Sequence, residues 1–131
     1  VKVAETTTSP KQQVLQQRLL TYMEQHQPYL QAELNINQLA DALSLPAHQL
    51  RQLINQNLGF RNFNAFLNQY RINAAKALLT NPQQIQKSIT DIAMEVGYAS
   101  LATFNRAFQN LEQTTPSQLR KNAFKEQQKA Q

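Results

Sequence analysis

The 131 residues contain no cysteine and no tryptophan, only two glycines and five prolines. Without cysteine there is no disulfide framework and no thiolate metal site, and the absence agrees with a reducing cytoplasm. So few glycines leave little material for tight β-turns, and the β-branched and aromatic residues are scattered rather than run together. No apolar run approaches the roughly 20 residues of a membrane-spanning helix. Val1 to Ser9 lacks the apolar centre of a signal peptide. The first residue is not Met, so a fragment of a longer protein is expected. Material for catalysis is missing too. No Gly-rich phosphate loop, no paired carboxylates and no nucleophile beside a base can be read, so an enzyme is not expected. His26 and His48 stand 22 positions apart, and no metal or other cofactor is expected.

What is present favours helix. Leu, Ala, Gln, Glu, Lys and Arg dominate, all good helix formers. Ser9-Pro10 reads as a helix start, with Ser9 as N-cap, Pro10 at the first helical position and Gln12 as the capping-box partner. Leu15, Leu19, Tyr22, Met23 and His26 follow at helical spacing, and Pro28 stops the run. A second helix starts at Asn35 with Gln38 as box partner and buries Ile36, Leu39, Ala40 and Leu43. After the turn Ser44-Leu45-Pro46, a third buries Leu50, Leu53 and Ile54 and ends near Leu58-Gly59. The longest helix runs from about Asn62 to Thr80, with Phe63, Phe66, Leu67, Tyr70, Ala74, Ala77 and Leu78 along one side.

The next segment repeats the second and third helices. Ser88, Ile89, Ile92, Ala93 and Val96 stand 53 positions after Asn35, Ile36, Leu39, Ala40 and Leu43. Asp91 takes the box position after Ser88, Gly97-Tyr98-Ala99 makes the turn, and Ser100 caps a further helix burying Leu101, Phe104, Ala107, Phe108 and Leu111. A last short helix begins at Thr115-Pro116 and carries Leu119 inward, with a solvated Lys- and Gln-rich tail beyond Asn122. The expected class is therefore all-α, about seven helices. Two helix-turn-helix units, each a homeodomain-like three-helix unit, are joined by a long central helix. The expected boundaries are a tail over residues 1–8, a first unit over 9–61, the connecting helix over 62–81, a second unit over 82–124 and a flexible tail over 125–131.

In such a unit the first helix braces the second, which lies in the major groove and turns its polar face to base edges. The third helix offers His48, Gln49, Arg51, Gln52 and Asn55 opposite its apolar stripe. The sixth offers Ala102, Thr103, Asn105, Arg106 and Gln109. Arg can bridge guanine O6 and N7, Gln or Asn can bridge adenine N6 and N7, and Ala or Thr methyls suit thymine's methyl. Helix starts at Asn35, Ser88 and Ser100 present free backbone N–H groups to phosphate, with Arg61, Lys87, Gln109 and Lys121 as further backbone contacts. Lys125 and Lys129 read as part of a solvated tail. Arg106 has a structural alternative, an ion pair with Glu95 or Glu112. The aromatic stripe Phe63, Phe66 and Tyr70 reads as core. A net charge of +5 suits an anionic partner, and residues from Arg71 onward carry eight basic against four acidic side chains. A connecting helix of about 17 to 19 residues spans roughly 25 to 29 Å, against about 34 Å between major-groove visits on one face of DNA.

The stretch from Ser88 to Ala123 resembles the C-terminal signature of the AraC/XylS family of bacterial transcription regulators. Ile89, Ile92-Ala93, Gly97-Tyr98, Phe104, Arg106, Phe108, Thr115-Pro116 and Arg120 carry the match. Upstream, Leu39-Ala40, Leu50, Gly59, Tyr70-Arg71 and Ala75 to Leu79 are similar to the same family's first unit and connecting helix. The resemblance covers about Leu30 to Asn122. It implies a seven-helix, two-unit DNA-binding domain of a transcription regulator, often an activator, preceded by a separate sensor or dimerisation region. Carried over residue by residue, the base-facing positions fall on His48, Arg51 and Gln52, and on Leu101, Ala102, Thr103 and Arg106. Departures lie at Pro46, where a capping Ser is common, at Gln109, where a basic residue is frequent, and at Gln113, which replaces a frequent Gly. Leu101 and Ala102 cannot hydrogen-bond a base.

The expected partners are double-stranded DNA and RNA polymerase, with the fragment itself a monomer. The expected location is the cytoplasmic nucleoid, with a missing N-terminal region as the one route to a membrane. The competing reading is a helical protein-interaction module that docks on a polymerase or partner without reading bases.

Overall fold

All but one of the helices start where a side chain satisfies backbone N–H groups that a helix leaves unpaired in its first turn. The computed structural model describes residues 9–130, of which 126–130 in backbone only; the tail read over 1–8 lies outside the described residues, as does Gln131. Seven α-helices and no strand occur among the described residues. Helix α1, Pro10–His26, opens with the expected box: Ser9 Oγ accepts the Gln12 N–H at 3.1 Å and Gln12 Oε1 accepts the Ser9 N–H at 3.2 Å. Its end comes at Gln27, left-handed at φ 49°, one residue before Pro28. Helix α2, Ile36–Ala42, carries the same reciprocal pair on Asn35 and Gln38.

Helix α3 begins at Ala47 after Pro46, which has no side chain to cap with. It is α-helical to Gln52 and then widens into a π turn over Leu53–Asn57, closed by the Leu58 N–H on Leu53 O at 3.0 Å. The sequence spacing predicted one plain helix here. Leu50, Leu53 and Ile54 are buried as their three- and four-residue spacing predicts; the wider turn that carries the last two is not legible from that spacing. Gly59, at φ 81°, turns the chain where an L-residue would be strained.

Helix α4, Phe63–Leu79, starts on Asn62, whose Oδ1 accepts the Ala65 N–H at 2.8 Å. The chain forms two compact units, and the division falls inside this helix. Unit 1 takes the chain to Tyr29 and Glu33–Leu67; unit 2 takes Leu30–Ala32 and everything from Asn68. In unit 1 the buried residues are Leu15, Leu19 and Met23 of α1, Pro28 and Tyr29, Leu39, Ala40 and Leu43 of the α2 region, Leu50, Leu53 and Ile54, and Phe66 and Leu67.

Unit 2 is organised around a different stripe of α4 from the one expected. Ile72, Ala75 and Leu79 are fully buried, while Ala77, predicted to face inward, is exposed. The helix is covered on more than one side, which a one-face periodicity cannot reveal. Around that stripe pack Ile92, Ala93 and Val96 of the α5 region (α5, Ile89–Glu95), Tyr98, and Phe104, Ala107 and Phe108 of α6, Leu101–Glu112. Ser88 Oγ accepts the Asp91 N–H at 3.0 Å and Ser100 Oγ the Thr103 N–H at 3.2 Å. Leu111 was expected inside and is 41% exposed, because the apolar period of α6 runs one turn past the surface that covers it.

Helix α7, Pro116–Ala130, is not the short helix predicted to stop near Asn122. No proline or glycine follows Pro116, and Ala, Gln, Lys and Glu sustain the turn. Leu119 packs on the unit 2 core, as expected. Beside it Arg120 holds three main-chain carbonyls: Nε donates to Leu79 O at 3.3 Å, Nη1 to Lys87 O at 2.8 Å and Nη2 to Gln84 O at 3.2 Å. One guanidinium thereby satisfies the end of α4 and the 3₁₀ turn Pro82–Gln84.

Candidate nucleic-acid interface

Residues four, three or seven apart on a helix share a face, so His48, Arg51, Gln52 and Asn55 come to one side of α3 and its π turn. They line an open groove of about 750 Å³ with Ile36, Ile54, Gln56, Arg61, Asn62, Phe63 and Asn64. No carboxylate lines it among the described residues. Arg51 and Arg61 are exposed, and neither guanidinium makes a hydrogen bond or ion pair among the described residues. Gln52 Nε2 donates to Gln56 Oε1 at 3.3 Å, an exposed contact that a base edge can displace.

Two of the expected readers stand differently. Gln49 is half-buried and lines a small recess with Gln12, Leu15, Gln52, Leu53 and Asn57, outside the groove. One residue on from His48 means about 100° around the helix, enough to turn it toward α1. Asn55 reaches the groove, but its amide nitrogen is bonded to the carbonyls of Phe60 and Arg61, each at 3.1 Å.

In unit 2, Ala102, Thr103, Asn105, Arg106 and Gln109 are all exposed on α6. Leu101, read from the helix pattern as buried and from the family resemblance as base-facing, is half-buried. It packs against the unit 2 core, since its place beside Phe104 turns it inward. Thr103 Oγ1 accepts the Ser100 hydroxyl at 3.0 Å, which leaves its own O–H hydrogen and its methyl for a partner. Arg106 pairs with neither acid weighed for it. Glu112 is held by Lys76 at 3.0 Å and Glu95 by Lys87. Its guanidinium is uncommitted among the described residues. The same Lys87–Glu95 pair engages Lys87, expected as a phosphate contact, with a carboxylate at the surface. Asn105 and Gln109 border a shallow hollow of about 410 Å³ with Ile89, Leu101, Thr115, Pro116 and Ser117. Lys121 and Lys125 are exposed and unpaired among the described residues; Lys129 has no described side chain. The oxygens of Asn35, Ser88 and Ser100 accept capping N–H bonds, which leaves the remaining first-turn N–H groups and the Asn35 amide and Ser88 hydroxyl hydrogens as donors to a phosphate there.

Gln56, Asn62 and Asn64 also line the unit 1 groove and were not read from the sequence. Asn and Gln recur over the whole chain, and nothing local announces that the loop after Gly59 folds back beside α3. Arg71 and Arg120, matched above without a role, are structural. Arg71 is buried, donates from Nη2 to Gln31 O at 2.8 Å and lies 5.6 Å from the centre of the Tyr98 ring. Tyr98 in turn donates to Asn68 Oδ1 at 2.7 Å. Burial pushes the Tyr98 phenol up to about 12, with the nearby Arg71 charge opposing that shift. A phenol raised above its ordinary value of about 10 stabilises the fold below that pH and loses its contribution as pH rises through the folded value. Unit 2 is therefore expected to lose stability between pH 10 and about 12, as followed by urea midpoints. Tyr98→Phe, which has no proton to lose, is expected to flatten that loss.

The arrangement is an all-α double helix-turn-helix, each second helix carrying an exposed arginine among amide and methyl groups. A family model described as a helix-turn-helix domain matches residues 39–122. The chain belongs to the AraC-type helix-turn-helix family. It is 36% identical over 91 residues to an uncharacterized HTH-type transcriptional regulator of Haemophilus influenzae, covering 70% of this chain and 29% of that protein. A Staphylococcus aureus protein of the same description is 33% identical over 99 residues, 76% of this chain and 12% of its own length. The chain thus spans less than a third of these curated relatives. Among solved structures, the C-terminal domain of AraT, a response regulator from Geobacillus stearothermophilus, is 26% identical with TM-score 0.67, covering 88% of both chains. An AraC-type transcriptional regulator from Chromobacterium violaceum shares the fold at 24% identity and TM-score 0.72, over 88% of this chain and 96% of that one. No helix among the described residues is long and apolar enough to cross a membrane.

Proposed function

We propose that this chain binds double-stranded DNA with base selectivity through α3 and α6, each entering a major groove on successive turns, and so regulates transcription. The observation that carries the reading is the pair Arg51 and Arg106. Each is exposed on the outer face of the second helix of its unit and free of any acid among the described residues. A guanidinium left unpaired on such a face is the group that bridges guanine O6 and N7. The relatives' description as transcriptional regulators supports the same reading. In unit 1 the readers are His48, Arg51 and Gln52. In unit 2 Arg106 reads a base while Ala102 and the Thr103 methyl offer apolar contact. Arg61, Lys121 and the first-turn N–H groups behind Asn35, Ser88 and Ser100 take phosphates. The domain works as an activator in the cytoplasm, a monomer in itself, with an additional N-terminal sensor or dimerisation region and with RNA polymerase as protein partner. No catalytic step is assigned to it.

Selection from a library of random duplexes at two salt concentrations, followed by sequencing, tests the proposal. An enriched motif of two boxes about one helical turn apart is expected. Arg51→Ala is expected to relax preference at one base position, at a cost of roughly 1–3 kcal/mol in affinity. Salt-sensitive binding with no enriched sequence would overturn the selectivity and favour a module that docks on protein.

A further inference from the structure

The polar face of α3 contains one residue whose hydrogen-bonding capacity is already used. Asn55 Nδ2 donates to Phe60 O and to Arg61 O, both at 3.1 Å, and two carbonyl acceptors decide which end of the amide faces the loop. Bidentate reading of adenine takes one amide N–H together with the amide oxygen. With both N–H groups bonded, Asn55 has no donor for N7.

The same contacts hold the loop that carries Arg61. The Phe60 N–H bonds Ile54 O at 3.1 Å, Gly59 supplies the left-handed turn, and the Phe60 ring meets Phe66 edge-on at 5.3 Å. One residue later Asn62 starts α4 through its bond to the Ala65 N–H. Arg61 is thus pinned along its backbone on both sides, while its side chain stands exposed on the wall of the acid-free groove. A cation on a held backbone loses less freedom when it engages an anion than one on a loose loop. Its place beyond the second helix, in the loop leading to α4, suits the phosphate backbone, where contacts set register rather than sequence.

We infer that Asn55 is a positioning residue, which holds Arg61 for a phosphate contact and does not read a base; this rests on the DNA-binding reading above. The π turn belongs to the same device, since Asn55 lies within it and its amide bonds the fifth and sixth residues onward.

A double-mutant cycle on duplex binding tests this, with wild type, Asn55→Ala, Arg61→Ala and the double variant measured over a salt series. The selected duplex and a scrambled one serve as probes. Both single variants are expected to weaken the two duplexes by the same factor and to lower the slope of log affinity against log salt by about one. The double variant is expected to be no weaker than Arg61→Ala. Asn55→Ala that relaxes preference at one base position with the slope intact would overturn the inference, as would a full extra loss on top of Arg61→Ala. Should Asn55→Ala lose helicity, Arg61→Ala alone decides: an unchanged slope in a folded variant overturns the phosphate contact. Wild type that binds no duplex at any salt would overturn the DNA-binding reading and this inference together; wild-type binding untouched by Arg61→Ala overturns this inference only.

Discussion

Phe104→Ala is expected to destabilise unit 2 by about 3–5 kcal/mol, the usual cost of emptying a buried aromatic site. The residue has no solvent exposure, and its ring meets Tyr98 at 5.4 Å and Phe108 at 5.7 Å. Helices α4, α5 and α6 all pack on that cluster, so little can collapse into the space without moving a helix. A cost of that size is a large part of the total stability of a small domain. The measurement is a urea melt followed by helical circular dichroism. A midpoint within error of wild type would mean that Phe104 does not hold the core. Leu111→Ala supplies the control. It lies on the same helix but is 41% exposed, and the expected change is within about 0.5 kcal/mol.

The second large effect is on binding. Duplex affinity is expected to fall about 10³-fold between 50 and 200 mM salt, if each unit neutralises about three phosphates. The chain carries 13 Lys and Arg against 8 Asp and Glu, and Arg51, Arg61, Arg106, Lys121 and Lys125 have no acid to satisfy them among the described residues. Neutralising a phosphate releases condensed counterions, and added salt penalises that release. Fluorescence anisotropy of a labelled duplex across a salt series measures the slope. A flat response would mean that no phosphates are neutralised, against the proposed function.

Much of this molecule could be read locally. The starts at Ser9, Asn35, Ser88 and Ser100 lie where the capping residues put them, because an N-cap bonds an N–H only two or three residues away. The repeat at an offset of 53 positions held for the same reason, since each copy has its own cap, stripe and turn. The groove-facing set His48, Arg51 and Gln52 follows from helical angle alone.

Long-range partnership was not legible. Arg106 had two plausible acids in sequence; the fold gives Glu95 to Lys87 and Glu112 to Lys76, so the arginine is left for another partner. Asn55 looked like a reader until the loop after Gly59 folded back and took its amide. Arg71 and Arg120 reach carbonyls 40, 41, 33 and 36 positions away, distances at which periodicity carries no information.

The sequence by itself determined the helices, their starts, the doubled motif and the outward-facing side of each second helix. Each depends on bonds and angles within a few residues. Only the tertiary structure decided which of the outward polar groups have partners, which stripe of α4 is core, and that Leu111 lies beyond the surface that covers the rest of its stripe. Those outcomes depend on what covers a surface, and a helix pattern states which residues share a face but not how many faces are covered or how far the cover extends.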